Sequence, residues 1–435
     1  MEDTKTKIEQ AQTQTQEKDE KPVVIKTAQI DNIRKYVEQA YDFRFNSITQ
    51  TLEFKEKEDP VFVPFQEKQK TDIIIQLKQQ LFKKPKEDLD DLLNSSMIRE
   101  YNPIRDYFDG LEHDGRKHIA KLAACITIDD PDKDIGGYKY RDLFNHYFKQ
   151  WLMACYLCST GQLVNDVMMI LIGAQGRFKT TFLNYLTPKD LQDYRVCSHI
   201  NPSLTDYNTS NFLAEKFFIN IDDQMETIFG KDYNSMKAII SAPDITNRKL
   251  YRATHQRRRR IANFCGSVNE PRFLKDSNNR RYLCFAITDI SPDYINIDID
   301  AVWAEVKAEA DSLNRLYIFG KEDYRMIDLM NTQFEAPTEE DETLRSVLVP
   351  VRDGVDPMPN KPIYYVTFSE IMKILRIESG NNQLRTYNLQ TAMRKYGYEP
   401  HSYRKERFAN QPRNLYPVQS ISGSPLIYNT LELYL

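Results

Sequence analysis

No apolar run in the 435 residues approaches the roughly 20 needed to cross a bilayer; the longest, such as 167–172, have the length of a strand. A membrane role therefore has no support. A strong charge of either sign is also missing. The formal net charge of −4 excludes a globally basic nucleic-acid coat and leaves room for a local basic patch. Cysteine is sparse: Cys125, Cys155, Cys158, Cys197, Cys265 and Cys284 are scattered through apolar segments with no secretory signal ahead of them. Reduced thiols in a cytoplasmic protein are the expectation. Metal-ligand patterns are absent as well. Cys155 and Cys158 have the spacing of a metal pair but lack a second pair, and His113, His118 and His146 form no ligand set. No internal repeat or long low-complexity tract appears.

What is present divides the chain. Residues 1–21 are Glu, Lys, Gln and Thr with almost nothing to bury, and are expected to be a disordered tail. Residues 22–160 read as a mainly helical N-terminal domain, with a possible hairpin at 41–54 and helices at 70–82, 89–100, 116–124 and 140–156. From 161 to 320 short apolar strands alternate with polar periodic stretches, the signature of an α/β core. Candidate strands lie at 167–172, 216–221, 260–267 and 282–287, and a helix at 301–316 closes the domain. Residues 321–345, with an acidic stretch at 335–342, read as a linker. In 346–435 two helices, 367–375 and 384–396, precede extended aromatic and basic residues, the order of a winged helix.

Between the strand 167–172 and a following helix lies Gly173-Ala174-Gln175-Gly176-Arg177-Phe178-Lys179-Thr180-Thr181. A phosphate loop works because backbone N–H groups wrap a phosphate at a helix N-terminus, a lysine neutralises charge and a hydroxyl binds Mg²⁺. Lys179 and Thr180 are the candidates for the last two roles. Phe178 stands where glycine is usual; it is tolerable if its φ is negative and its ring points outward, with Gly176 supplying any left-handed turn. Downstream, the apolar strand Phe217-Phe218-Ile219-Asn220-Ile221 ends in Asp222-Asp223, the Walker B arrangement. Asp222 can hold Mg²⁺ beside Thr180, and Asp223 can orient or deprotonate the attacking water. Asn269, at the end of a third strand, is either a turn former or a contact to the γ-phosphate. Arg280 and Arg281, before the next strand, are either solvated or an arginine finger for a neighbouring subunit.

These four elements, in this order, make the chain resemble the virulence-associated protein E family, relatives of the superfamily 3 helicases of phages and mobile elements. Tyr101-Asn-Pro-Ile-Arg-Asp-Tyr-Phe-Asp109 with His113-Asp-Gly-Arg116 is similar to that family's opening segment, where a tryptophan often replaces this histidine. Gly173-Ala-Gln-Gly176 and Lys179-Thr-Thr-Phe182 are similar to its phosphate loop. Ser267-Val-Asn-Glu-Pro-Arg-Phe-Leu-Lys-Asp276 with Arg280-Arg281-Tyr282 is similar to its sensor and arginine block. The resemblance spans roughly 102–334. It implies a P-loop NTPase core using ATP and Mg²⁺ that assembles as a ring, a hexamer, and moves on DNA. Phe178 and Asp223 depart from the family pattern, which bears on the turnover rate and on the identity of the base.

Such families are sometimes joined to a primase. Asp298-Ile-Asp300 has the polymerase D-x-D form, but it directly precedes a helix that Asp300 can N-cap, and no second carboxylate set accompanies it. Arg248, Lys249, Arg252, Arg257, Arg258 and Arg259 gather positive charge between the second and third motif strands. They suit sequence-independent contact with DNA phosphates, single-stranded or forked, with a solvated face or intersubunit surface as the alternative. Arg394, Lys395, Arg404, Lys405, Arg407 and Arg413, interleaved with tyrosines, suit either DNA contact or a core of aromatics with exposed charges. Two functions follow: an ATP-driven helicase in replication of a mobile element, or a nucleotide-switched DNA-binding assembly factor for initiation, defence or interference that unwinds nothing.

Overall fold

The computed structural model describes residues 28–197, 200–221, 228, 231–248, 255–274, 279–313, 318–352, 357–404, 411–422, 427–428 and 431–432. The chain divides into two compact units, 1–106 and 107–435. The expected tail, 1–21, lies outside the described residues.

In the first unit, helix α1 (Gln29–Ala40) leads into the hairpin β1 (Tyr41–Asn46) and β2 (Thr51–Glu56). Strand β3 (Val63–Pro64), helices α2 (Glu67–Gln79) and α3 (Pro85–Leu93), and strand β4 (Arg99–Tyr101) follow. The strands form one sheet in the order β3-β2-β1-β4. Ile33 and Val37 of α1, Ile73 and Leu77 of α2 and Leu89 of α3 bury their apolar stripes with Phe54 of β2. This unit is therefore a helix-on-sheet layer, where the sequence suggests mainly helices. Helix α4 (Pro103–Asp109) begins at its end.

The second unit opens with α5 (His118–Ala124), β5 (Ile126–Ile128), a short hairpin of β6 (Asp134–Ile135) and β7 (Tyr138–Lys139), and the long α6 (Tyr140–Ser159). Its principal sheet contains β8 (Met168–Ile172), β9 (Arg195–Cys197), β10 (Phe218–Ile221), β13 (Asn263–Val268) and β14 (Tyr282–Ile290). They stand in the order β14-β8-β13-β10-β9, all parallel, with β5 antiparallel at the β14 edge. In chain order the parallel strands read 5-1-4-3-2. Both faces are covered, so β8, β10 and β13 are buried end to end and read as continuous apolar runs rather than alternating ones. One face carries Ile170, Ile219 and Phe264 against α8 (Tyr207–Glu215) and α9 (Tyr233–Ser241) through Leu213, Met236, Ile239 and Ile240. On the other, Trp151 of α6 packs on Phe218 and Phe144 on Phe285. Trp303 of α10 (Ile299–Asp311) packs on Phe217, with its indole N–H donating to the Leu186 carbonyl. A burial of this kind stabilises by about 1.5–3 kcal/mol for each large side chain.

The helix α10 is capped by Asp298, whose carboxylate accepts from the N–H groups of Asp300 and Ala301. The sequence assigns that cap to Asp300, two residues on; Asp300 instead accepts from the Tyr107 hydroxyl. Helix α11 (Lys321–Asn331) packs beside β14. The acidic 335–342 stretch is helical from Glu339: α12 (Glu339–Val347) starts on a Thr338–Asp341 capping box and buries Glu340, Asp341 and Leu344. Acidic residues there serve a helix N-terminus rather than a solvated linker. The chain continues through β15 (Leu348–Pro350), β16 (Tyr364–Val366), α13 (Phe368–Ser379), α14 (Thr386–Lys395), β17 (His401–Arg404) and β18 (Pro412–Ser420). β18 pairs with β15, β16 and β17, and Leu344, Val366, Ile371, Leu375, Leu389, Met393 and Val418 share one core. Among the described residues no helix is long and apolar enough to cross a membrane.

Candidate functional site

The parallel strands deliver their carboxyl ends to one edge of the sheet, where loops and ligands gather in open α/β folds. At that edge β8 gives way to Gly173, whose N–H donates to the Val268 carbonyl at 3.1 Å. A Cβ at 173 would lie 2.5 Å from the backbone oxygen of Ile287, so the close approach requires glycine. The turn then uses two left-handed residues, Gly176 at φ +79° and Phe178 at φ +57°. The sequence reading gives the left-handed turn to Gly176 and a negative φ to Phe178. Phe178, directly before α7 (Lys179–Tyr185), instead adopts it too, at a cost of about 1 kcal/mol. The residue is 49% exposed, in line with an outward ring.

Lys179 opens α7 with only 6% of its surface exposed. Its ammonium donates to the carbonyls of Gly173 (2.6 Å) and Ala174 (2.8 Å) and to Asn269 Oδ1 (3.0 Å). The fold thus brings Lys179 and Asn269 together, since β13 is hydrogen-bonded beside β8. Thr180 Oγ1 lies 3.3 Å from Ser267 Oγ. Gln175, Gly176, Arg177, Phe178, Thr181 and these four side chains line an open cleft of about 280 Å³. Arg177 also pairs with Asp289 at 3.5 Å, both ends half in solvent. Asp222 and Asp223 follow β10 directly and lie outside the described residues.

Sequence reasoning missed two residues here. Ser267 sits two positions before Asn269, hence on the same side of an extended strand, and that spacing was the available signal. Asn220 is a polar residue inside the apolar run of β10; buried, it donates to Asn184 Oδ1 at 2.9 Å and to the Thr180 carbonyl at 3.4 Å. It braces α7 against the sheet.

Arg280 and Arg281 are elsewhere. β14 runs parallel to β8 with Tyr282 opposite Met168 and Ala286 opposite Ile172, so the arginines precede the strands' amino ends. At about 3.3 Å per residue, the length of β8 separates them from the loop by roughly 16 Å. The exposed Arg280 lies 5.1 Å from the centroid of the Tyr324 ring. The Tyr324 hydroxyl donates to both oxygens of Asp166, at 2.9 and 3.0 Å. Burial, then the Asp166 charge, push the Tyr324 phenol well above its ordinary range. Arg281 Nε donates to Ser241 Oγ.

The basic residues form an antiparallel hairpin, β11 (Asp244–Arg248) with β12 (His255–Arg259). Alternation along β12 splits them. Arg258 lies opposite the buried Ile245 and pairs with Glu215 at 2.8 Å. Arg257 and Arg259 point the other way and are exposed; Arg257 pairs with Asp244 at 2.5 Å and Arg259 donates to the Gln162 carbonyl at 3.1 Å. Arg248 ends β11, its side chain outside the described residues, as are Lys249 and Arg252 entirely. The neighbouring Arg260, fully buried, donates to the carbonyls of Ala262 and Asn165.

Residues 108–336 match the family model described as the virulence-associated protein E-like domain, more than half of the chain. Among curated proteins none matches. Solved structures of the NrS-1 C-terminal region are similar in fold: the apo structure of residues 305–718 at 12% identity and TM-score 0.46, and an A-form apo structure at 12% and 0.47. Each likeness covers 90% of this chain and 99% of the other. At such scores the function has to be argued from the site.

Proposed function

The chain belongs to the virulence-associated protein E-like domain family, and on that premise we propose that it is an Mg²⁺-dependent ATPase with a P-loop NTPase core, a ring-forming DNA helicase in the replication of a phage or mobile element. One observation carries the reading: Lys179, buried and drawn onto the Gly173 and Ala174 carbonyls and onto Asn269. An ammonium that donates to these neutral oxygens at the mouth of a polar cleft can exchange them for an anionic phosphate, which is a stronger acceptor. The glycine at 173 fits the same purpose, since the turn leaves no room for a side chain there.

The phosphates of ATP would lie against residues 173–178 and the start of α7. Thr180 and Asp222 would hold Mg²⁺, whose charge offsets that on the phosphates during transfer. Asp223 would orient the attacking water, and Asn269 would sense the γ-phosphate once Lys179 turns toward it. Arg280 or Arg281, remote from the loop of their own chain, would complete a neighbour's site. Arg257 and Arg259 would meet the backbone of single-stranded or forked DNA. We read the C-terminal domain, 346–435 in the sequence reading, as a winged helix, with α12 leading into it and α13 and α14 followed by the β17–β18 pair.

A second reading, a nucleotide-switched assembly factor that binds DNA without unwinding it, is favoured by the left-handed Phe178, a strained residue where fast turnover is most demanding. The test is ATP hydrolysis by the wild type and Lys179→Ala, with strand displacement on forked DNA. Lys179→Ala is expected to lower turnover by on the order of 10²-fold or more; full turnover in that variant sinks the site. ATP-dependent assembly with no displaced strand favours the switch over the motor.

A further inference from the structure

The C-terminal helix α14 has an inner and an outer face. Leu389, Ala392 and Met393 are buried in the module's core. Tyr387, Gln390, Thr391 and Arg394 lie opposite at i, i+3, i+4 and i+7, a single stripe on a helix. Tyr387 is 62% exposed and Gln390 and Arg394 are exposed. None of these four belongs to that core.

Charge narrows what that is. From Gly380 to Tyr398 there is no Asp or Glu. The carboxylate nearest the start of the helix, Glu340, is buried and turned inward, accepting from the Arg385 N–H at 2.5 Å and from Asn388 at 3.1 Å. Lys395, also exposed, pairs with Glu335 at 3.7 Å; Arg394 on the helix and Arg385 just before it are exposed as well. Arg404 and Arg413 are exposed on the β17–β18 hairpin that follows.

We propose that α14 is a recognition helix for duplex DNA, inserted in the major groove. The groove is about 12 Å wide, enough for one helix of about 10–12 Å diameter. Arg394 and Gln390 are side chains that contact guanine and adenine edges in pairs of hydrogen bonds, Thr391 suits the thymine methyl, and Arg385, Arg404 and Arg413 suit phosphates. A-form duplexes hide their major groove from side chains, which distinguishes DNA from RNA. The proposal goes beyond the ATPase reading: it uses none of the loop residues and stands on the winged-helix order of the C-terminal elements.

The test is fluorescence anisotropy of the full chain without nucleotide, on a labelled 30-base-pair DNA duplex of mixed sequence, the matching single strand and the matching RNA duplex. Arg394→Ala, and separately Tyr387→Ala with Gln390→Ala, are expected to weaken DNA-duplex binding about tenfold while single-strand affinity changes less than twofold. Arg385→Ala is expected to reduce the salt dependence of duplex binding by about one phosphate contact. Thermal melting of each variant within about 2 °C of the wild type separates lost contact from lost fold, and Arg394→Lys, which keeps the charge, is expected to retain the salt dependence of duplex binding. Unchanged duplex affinity in every α14 variant overturns the proposal. So does an equal loss on all three nucleic acids, or RNA-duplex binding as tight as DNA. A failed ATPase assay leaves this result standing, because no nucleotide is present.

Discussion

The phosphate-loop edge and the basic hairpin are both polar clusters within one unit, yet they are organised in opposite ways. At the loop, Lys179, Thr180, Ser267 and Asn269 come from two separate stretches of sequence and meet within hydrogen-bonding range. At the hairpin, Arg257, Arg258 and Arg259 are adjacent in sequence and are driven apart, Arg258 inward to Glu215 and its neighbours outward. The difference lies in what holds each residue. Strand ends of a parallel sheet converge whatever lies between them, whereas successive residues of a strand diverge by the pleat. Clustering in sequence is therefore a poor guide to clustering in space.

The largest effect that can break this comparison concerns the arginines at the far end of the sheet. Arg280→Ala should lower ATP turnover by about 10³-fold if the residue acts on a neighbour's nucleotide. Mixing it with Lys179→Ala should then restore part of the activity, because in mixed rings an intact loop can meet an intact arginine. Two inactive variants that stay inactive on mixing, at concentrations where the wild type assembles, exclude the shared site.

Within the converged cluster, Asn269→Ala should lower kcat by about thirtyfold with little change in KM, if its contact is made mainly in the transition state. A rise in KM at constant kcat would mean that Asn269 only positions ground-state nucleotide. In the hairpin the split gives paired expectations. Arg258→Ala strands Glu215 in a mostly buried setting and should reduce stability by about 2 kcal/mol, read by urea unfolding. Arg259→Ala should change stability by less than about 0.5 kcal/mol while lowering the salt slope of single-strand binding by about 0.7. Equal stability losses at both positions would contradict the inward and outward assignment.

Much of the fold and part of the site were legible in the sequence, for reasons that follow from this contrast. The buried runs of β8, β10, β13 and β14 announce themselves because both faces of the sheet are covered. Edge strand β9 has only Arg195–Cys197, two of them half-exposed, and gave no such signal. Polar residues at strand ends could be named, but their mutual contacts depend on strand order, which periodicity does not encode. The acidic stretch misled because composition alone does not distinguish a solvated linker from a helix N-terminus; Thr338 three residues before Asp341 is the capping signature that does. Arg258 was assigned to DNA because a run of arginines hides the alternation that turns one of them to the core.

Phe178 gives the smallest effect and the sharpest view of the loop. Its backbone sits at φ +57°, where a Cβ crowds the following carbonyl oxygen. Phe178→Gly removes that crowding, worth about 1 kcal/mol, but adds backbone freedom to the unfolded chain, worth about 0.4–1 kcal/mol in the opposite direction. The half-exposed ring contributes little burial to lose. The two terms nearly cancel, so the melting temperature of the nucleotide-free protein should move by less than about 2 °C for a unit of this size. Turnover responds differently, because a loop able to re-form around phosphate without a left-handed phenylalanine should exchange nucleotide more readily. A gain of a few-fold in ATP hydrolysis at unchanged melting temperature would assign to Phe178 a restraint on the motor. A loss of both would make the phenylalanine a structural part of the turn and weaken the comparison of this loop with an ordinary glycine-containing one.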